Sequence, residues 1–171
     1  MQLEQVVTVL EQTPAALEGL LKGLPERLLE ANEGPDTYSP RDVLGHLIFG
    51  EETDWVPRIR IILEYGESRP FTPFDRTGFR AYGAQPVERL LRRFRELREE
   101  NLAYLRSLDL QPEHMERRGT HPGLGTVTLG QLLASWAVHD LGHLAQASRV
   151  IAKQFRSEVG PWEEYLTVLT R

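Results

Sequence analysis

Apolar residues recur at every third or fourth position along four long segments of the chain, the spacing that places them on one face of an α-helix. The first predicted helix runs from Leu3 to about Leu24, and Thr13-Pro14 predicts a kink or a restart inside it. The second begins at Ser39, a favourable N-cap, and runs to about Tyr65. Because apolar residues lie on most of its sides, we expect the second helix to be central in the fold.

Two further helices complete the pattern. The third runs from Pro86 to about Leu108, and its many Arg and Glu residues are interpreted as a solvated face. The fourth is capped by Thr128 after a turn-rich segment and runs to about Phe155, and Pro161 opens a short terminal helix. Together they predict an all-α four-helix bundle that forms one domain over residues 1–171. The long connection over residues 66–85 allows the chain to cross over the bundle instead of turning back.

The composition fits a globular domain with little affinity for nucleic acids. Of the 171 residues, 40% are hydrophobic, which is enough to bury a core. The formal net charge of -5 argues against non-specific nucleic-acid binding, which depends on basic side chains that neutralise phosphates. No apolar run approaches the roughly 20 residues of a membrane helix, and the first residues lack the basic region of a signal peptide. With no cysteine for disulfides or metal ligation, we expect a cytoplasmic protein.

Two histidines lie one helical turn apart in the fourth helix, within the stretch SWAVHDLGHLAQ. His139 and His143 share a stripe with apolar residues on both sides, so we expect their rings to point into the bundle. The spacing lets both imidazoles reach one metal ion about 2 Å from each nitrogen. Two ligands leave a site incomplete, so a third ligand is expected from a facing helix.

Among the other three histidines, His46 is the best third ligand because it lies in the strongly apolar second helix. His114 and His121 lie in polar or turn-rich segments. Gly50, one turn after His46, is expected to leave room beside a metal ion. The alternative for His46 is an ordinary core histidine held by a hydrogen bond.

The pair resembles the zinc-protease motif H-E-x-x-H, but Asp140 stands where that motif has its general-base Glu, so a metalloprotease is excluded. Asp140 is interpreted as a side chain that orients a metal ligand or as a surface acid. Gln146, three residues after His143, is expected to orient that ligand or to bind substrate. The linker residues that are candidates to cover the mouth of the site are Phe71, Phe74, Asp75, Arg76 and Tyr82. Arg76 is also a candidate to hold a carboxylate of the thiol cofactor, with a surface position in a loop as the alternative. Candidates for an apolar pocket wall, with core packing as the alternative, are Trp136, Phe49 and Trp55.

The stretches SPRDVLGHLIFGEE and GTVTLGQLLASWAVHDLGHLAQ resemble the DinB-like superfamily, which includes the bacillithiol- and mycothiol-dependent transferases of bacteria. The resemblance covers the chain from the capped second helix through the fourth. It implies an up-down-down-up four-helix bundle, a homodimer, and a divalent metal ion held by His46, His139 and His143. Members with known activities imply thiol transfer or thiol-dependent isomerisation, in detoxification or stress responses.

Three neutral imidazoles leave at least one position open on a metal ion. Zinc is the default choice, and nickel, iron or manganese are compatible with the same ligands. Such an ion would make a low-molecular-weight thiol nucleophilic, so the hypothesis is metal-dependent thiol S-transfer to a small electrophile. The alternatives are a non-catalytic, metal-stabilised dimer that acts in stress responses, and a small-molecule hydrolase. Glu51 and Glu52 are the nearest candidate bases, but neither shares a face with His46, which disfavours the hydrolase.

Overall fold

The computed structural model describes residues 2–170, and most of them are helical. The helices are α1 (Leu3–Leu21), α2 (Glu26–Leu29), α3 (Pro40–Thr53), α4 (Trp55–Tyr65), α5 (Val87–Ser107) and α6 (Leu129–Lys153). A two-stranded antiparallel hairpin consists of β1 (Arg118–His121) and β2 (Gly125–Thr128). Short 3₁₀ segments lie at Gly66–Ser68, Gly78–Tyr82, Pro112–Glu116, Gly160–Tyr165 and Thr167–Leu169.

Two apolar clusters at opposite ends of the molecule fix the direction of each helix. The first half of α1 packs with α4, the end of α5 and the start of α6. The second half of α1 packs with α3, the start of α5 and the later part of α6. Helices α1 and α6 therefore run one way, while α5 and the rod formed by α3 and α4 run the other way. This is the predicted up-down-down-up four-helix bundle.

The connection between α4 and α5 crosses the length of the bundle, as the sequence predicts, because these two helices run parallel. On its way it joins the hairpin: the Phe71 amide donates a hydrogen bond of 2.9 Å to the Thr120 carbonyl. The buried Phe71 ring anchors this segment in the core. The linker and the hairpin therefore lie together beside α4.

Helix α1 passes through Pro14 without a break, so the predicted restart at Thr13-Pro14 is wrong. Proline has no amide hydrogen to donate to the carbonyl four residues earlier, which here belongs to Leu10. That carbonyl instead accepts a hydrogen bond of 2.7 Å from the guanidinium of Arg98 on α5. A side chain from the neighbouring helix thus satisfies the group that the proline leaves free.

The second predicted helix divides in two at Asp54, which the periodicity did not indicate. Pro57 in the first turn of α4 lacks the amide that would continue the hydrogen-bond ladder to Thr53. The turn-rich segment before α6 forms the hairpin, with Gly125 at a φ of 73° closing its turn. The predicted terminal helix is present as short 3₁₀ segments after Val159. Within residues 2–170, none of the helices is both long and apolar enough to cross a bilayer.

Candidate metal centre

The structure brings His46 of α3 together with His139 and His143 of α6. The Nε2 atom of His139 lies 3.0 Å from that of His46 and 3.1 Å from that of His143. One ring nitrogen from each histidine lies within 4.8 Å of the others, and all three rings are partly buried. These separations suit nitrogens that share one ion about 2 Å from each of them. Among the described residues, no fourth acidic or histidine side chain joins this group.

Burial keeps His46 and His143 uncharged at neutral pH. Removal from water, together with its two histidine neighbours, lowers the pKa of His46 to about 3. Burial and His139 lower the pKa of His143 to about 4. Because a metal ion binds the neutral imidazole, these lowered pKa values leave both rings ready to act as ligands at pH 7.

A hydrogen bond selects the ring nitrogen that His143 presents. His143 Nδ1 lies 2.9 Å from the Gln146 side-chain oxygen, so with that acceptor Nδ1 carries the proton and Nε2 presents a lone pair. Gln146 thus contacts the histidine that the sequence analysis expected it to orient. The Nδ1 atoms of His46 and His139 are buried without a partner among the described residues. The three Nε2 atoms lie against one another, and their few protons cannot supply a hydrogen bond for every contact between them. A divalent cation bound to all three lone pairs fits this arrangement.

A cavity of about 580 Å³ opens beside the triad and is lined by His46 and His139. Its helical wall is a stripe of residues four apart on α3 and α4: His46, Gly50, Asp54 and Arg58. The linker and the hairpin form the opposite wall, with Pro73, Phe74, Arg76, His121, Pro122 and Gly123. Of the five linker residues predicted at the mouth of the site, Phe74 and Arg76 line the cavity, whereas Phe71, Asp75 and Tyr82 do not. The hairpin contributes a side that the sequence did not reveal.

Aromatic rings surround the three imidazoles. The rings of Trp55 and His139 have centroids 5.2 Å apart in an edge-on arrangement, and Phe74 lies 5.5 Å from His46 in the same way. Tyr38, just before the α3 cap, lies 5.5 Å from His46 and stacks on His143 at 6.3 Å. The sequence analysis did not select Tyr38, because this residue ends a polar loop and lies outside every predicted helix.

The three predicted pocket aromatics take different places. Trp55 lines the cavity. Trp136 is fully buried behind Trp55, and the two rings stack with their centroids 5.6 Å apart. Phe49 packs on Phe74 at 5.4 Å and so supports the linker without lining the cavity. Gly50 lines the cavity, but a Cβ there would lie 3.3 Å from Trp55 Nε1. Its missing side chain therefore makes room for the indole of Trp55 as well as for the cavity, beyond what the sequence predicted.

Asp140 is completely buried, which rules out the surface acid that the sequence left open. Its Oδ2 accepts a hydrogen bond of 2.7 Å from Arg98, and its Oδ1 lies 4.0 Å from His139 Nδ1. Burial alone would raise the pKa of Asp140, but the contacts with His139 and Arg98 outweigh it and lower that pKa. Both Oδ1 and His139 Nδ1 lack another partner in the part of the chain that the structure describes. Asp140 therefore lies behind His139, with its Oδ1 4.0 Å from the ring's Nδ1.

A buried polar network extends this arrangement away from the triad. Arg98 is only 1% exposed, and its guanidinium also donates 2.7 Å hydrogen bonds to Glu51 and to the Leu10 carbonyl. Glu51 accepts two more, from Trp136 Nε1 at 3.0 Å and Asn101 Nδ2 at 2.9 Å. The expectation that the charged residues of the third helix form a solvated face is therefore wrong for Arg98. The Arg98 guanidinium pairs with both buried carboxylates and so fixes the side chains behind the triad.

Asp54 is the carboxylate that lines the cavity, and the sequence analysis missed it. It pairs with Arg58 at 2.7 Å, and both side chains are buried. Burial raises the pKa of Asp54, against the opposing effect of Arg58. Neither of the two predicted candidates, Glu51 and Glu52, lines the cavity, and Glu52 pairs with Arg93 at 2.9 Å. The four-residue spacing from His46 through Gly50 was the available signal for Asp54.

Comparisons with known proteins agree with this fold. The structure is similar to that of YfiT from Bacillus subtilis, described as a probable metal-dependent hydrolase with an unusual four-helix bundle topology. The TM-score is 0.77 at 21% identity, and the match covers 90% of this chain and 87% of that one. No curated protein is similar enough to this chain to count as a match. The sequence model of the DinB superfamily matches residues 9–147, which include all three histidines. The chain belongs to the DinB superfamily.

Proposed function

We propose that the protein is a metal-dependent enzyme that transfers a low-molecular-weight thiol to a small electrophile. The observation that carries the proposal is the convergence of three histidine Nε2 atoms beside an open cavity, with no fourth protein ligand among residues 2–170. Three protein ligands are typical of catalytic sites, whereas structural zinc sites have four. This favours an enzyme over a protein in which the ion only stabilises the fold or a dimer.

His46, His139 and His143 would hold the ion, and zinc is the first choice, with nickel, iron or manganese compatible with imidazole donors. When bound, a divalent cation supplies Lewis acidity, which makes a water or a thiol at its open position a nucleophile near neutral pH. Asp140 and Gln146 would keep His139 and His143 in their binding orientation.

The cavity suits a small molecule with an apolar part. Trp55, Phe74 and Pro73 give it an apolar side next to the triad, where an electrophilic carbon would be sheltered from water. A volume of about 580 Å³ lies in the range of small-molecule sites and is too small for a folded partner. The chain would therefore contribute the binding and orientation of both reactants.

Hydrolysis is the second candidate, and Asp54 is the observation that favours it. A buried carboxylate with a raised pKa in the same cavity is a suitable acceptor for the proton of an attacking water. The description of YfiT as a probable metal-dependent hydrolase points the same way. However, Asp54 is engaged by Arg58 at 2.7 Å, whereas a thiol with an ordinary pKa of about 8.5 ionises without a protein base. Thiol transfer therefore does not require a general base from the protein.

The test compares the two reactions in one preparation. The zinc-loaded protein is incubated with an alkyl halide and a panel of low-molecular-weight thiols, and separately with small esters and amides without thiol. We expect a thiol-dependent product that His139→Ala abolishes and Asp54→Asn leaves largely intact. Ester or amide cleavage that Asp54→Asn abolishes would replace transfer by hydrolysis. Metal retention without either reaction would favour a structural ion, and His114→Gln, which lies outside the site, is the matched control.

A further inference from the structure

The cavity carries a group of hydrogen-bond donors near the triad, on three separate elements. They are Arg58 of α4, Arg76 of the linker and His121 of the hairpin. Neither reaction considered above requires these side chains for the chemistry at the metal ligands. Their chemistry nevertheless indicates what kind of molecule the cavity selects.

His121 is fixed as a neutral donor by its own turn. Its Nδ1 accepts hydrogen bonds from the Gly123 and Leu124 amides, both at 3.1 Å. A nitrogen that accepts amide hydrogens carries no proton, so the proton lies on Nε2. The ring also packs edge-on against Phe71 at 6.2 Å. His121 therefore presents an N–H group whose position is set by the hairpin.

Arg58 is a buried cation with more donors than its one carboxylate can accept. It is 9% exposed, its guanidinium lies 5.2 Å from the Phe71 ring centre, and it pairs with Asp54 at 2.7 Å. Its Nε has no partner among the described residues. A guanidinium has five N–H groups, so an additional anionic acceptor would satisfy donors that Asp54 leaves unused.

Arg76 supplies a positive charge that the described part of the chain does not neutralise. No ion pair within residues 2–170 includes it, although it borders the cavity. The adjacent acid, Asp75, is occupied by Thr77, whose amide and hydroxyl donate to it at 2.8 and 2.7 Å. Because Asp54 balances Arg58, the charge of Arg76 makes this part of the cavity net positive.

We infer that Arg58, Arg76 and His121 bind a carboxylate of the small molecule that reacts at the triad. The inference rests on the proposed function, because it assigns a substrate class to the same cavity. A carboxylate has two oxygens in one plane, which match the fork of a guanidinium and leave a further lone pair for His121. The carboxylate belongs either to the thiol or to the electrophile, and both sources share this chemistry.

The experiment uses pairs of ligands that differ only in the carboxylate. N-acetylcysteine is compared with its amide, and 3-phenylpropionate with 3-phenylpropionamide, by quenching of tryptophan fluorescence, since Trp55 lines the cavity. Because its hydrogen bonds are charge-assisted, we expect at least one of the two acids to bind about tenfold more tightly than the matching amide. A preference confined to the first pair assigns the carboxylate to the thiol, and a preference confined to the second pair assigns it to the electrophile.

Arg76→Gln is expected to reduce that preference to about threefold or less, and Arg80→Gln, an exposed arginine of the same linker outside the cavity, should preserve it. A double variant, Arg58→Gln with Asp54→Asn, removes the buried pair together and should also reduce the preference.

The same titrations with metal-free protein and with His139→Ala separate this inference from the proposed function. A preference that survives in both and depends on Arg76 supports the carboxylate site, whether or not the metal-loaded protein is active. A preference that disappears with the metal but is unaffected by Arg76→Gln would place the carboxylate on the ion and overturn the inference. Equal affinity for acids and amides would also overturn it.

Discussion

Replacing Arg98 with methionine removes the cation that two buried carboxylates share and keeps most of the apolar stem. Glu51 and Asp140, 3% and 0% exposed, would lose hydrogen bonds of 2.7 Å, and the Leu10 carbonyl would lose the Arg98 donor. Removing one partner of a buried ion pair costs about 3–5 kcal/mol because the remaining charge stays buried and unpaired. The folding free energy of a domain is about 5–15 kcal/mol, so this loss is a large part of it.

The assay is urea unfolding followed by circular dichroism, with Arg95→Met as the control. Arg95 lies on the same helix and pairs with Glu18 at the surface, so its removal should cost at most about 1 kcal/mol. The deficit of Arg98→Met should shrink as the pH falls, because the freed carboxyl groups would then fold in their protonated, neutral form. Adding Glu51→Gln and Asp140→Asn should restore part of the stability. Equal losses for Arg98→Met and Arg95→Met would refute the reasoning.

Three further predictions concern Asp140 behind the triad, the ion pairs of Glu33, and Gly119 in the hairpin. Asp140→Asn should lower zinc affinity about 10–100-fold in calorimetry with little change in circular dichroism, because the neighbouring histidine loses its orienting carboxylate; unchanged affinity would contradict this role. Hydrogen bonds from Arg149 and Lys153 of α6 lower the pKa of Glu33 from 4.5 to about 2. The resulting stabilisation is complete above pH 4.5 and is lost as the pH falls to about 2. In acid unfolding, the stability lost in Glu33→Gln relative to wild type should therefore vanish over this pH range. A loss of stability that does not change with pH would show that the ion pair adds nothing. Gly119→Ala should destabilise the protein by about 1–3 kcal/mol, because its Cβ would lie 2.7 Å from Ile62 and 2.9 Å from Phe71. The control Gly123→Ala should be close to neutral, because its nearest neighbour would lie at 3.8 Å. Equal thermal midpoints for the two variants would contradict the packing argument.

Periodicity was sufficient for the bundle and for the meeting of the histidines. Apolar stripes predict which face of each helix is buried, and a polar residue in the middle of such a stripe is then expected near a facing helix. His46, His139 and His143 follow this rule. The crossing of the linker was predictable as well, since a long connection is what a parallel pair of helices requires.

The same rule applied to charged residues would have found the buried network. Arg98 lies four residues after Phe94 and four before Leu102, in the middle of the apolar stripe of α5, and Glu51 lies four after Leu47 on α3. A charged residue on an apolar stripe can still lie at the surface, and only the partner side chain decides. That partner comes from another helix, so the sequence of one helix cannot identify it. The homodimer, the cytoplasmic location and the absence of nucleic-acid binding stay predictions.

The most direct test of the central claim is the metal content of the protein after zinc loading and desalting, measured by mass spectrometry. The account predicts about one ion per chain in the wild type and in His114→Ala, since three imidazoles form one site. Each of His46→Ala, His139→Ala and His143→Ala should lose the ion while circular dichroism shows an intact helical fold. Stoichiometric zinc in any of these three folded variants, or none in the wild type, would contradict the site.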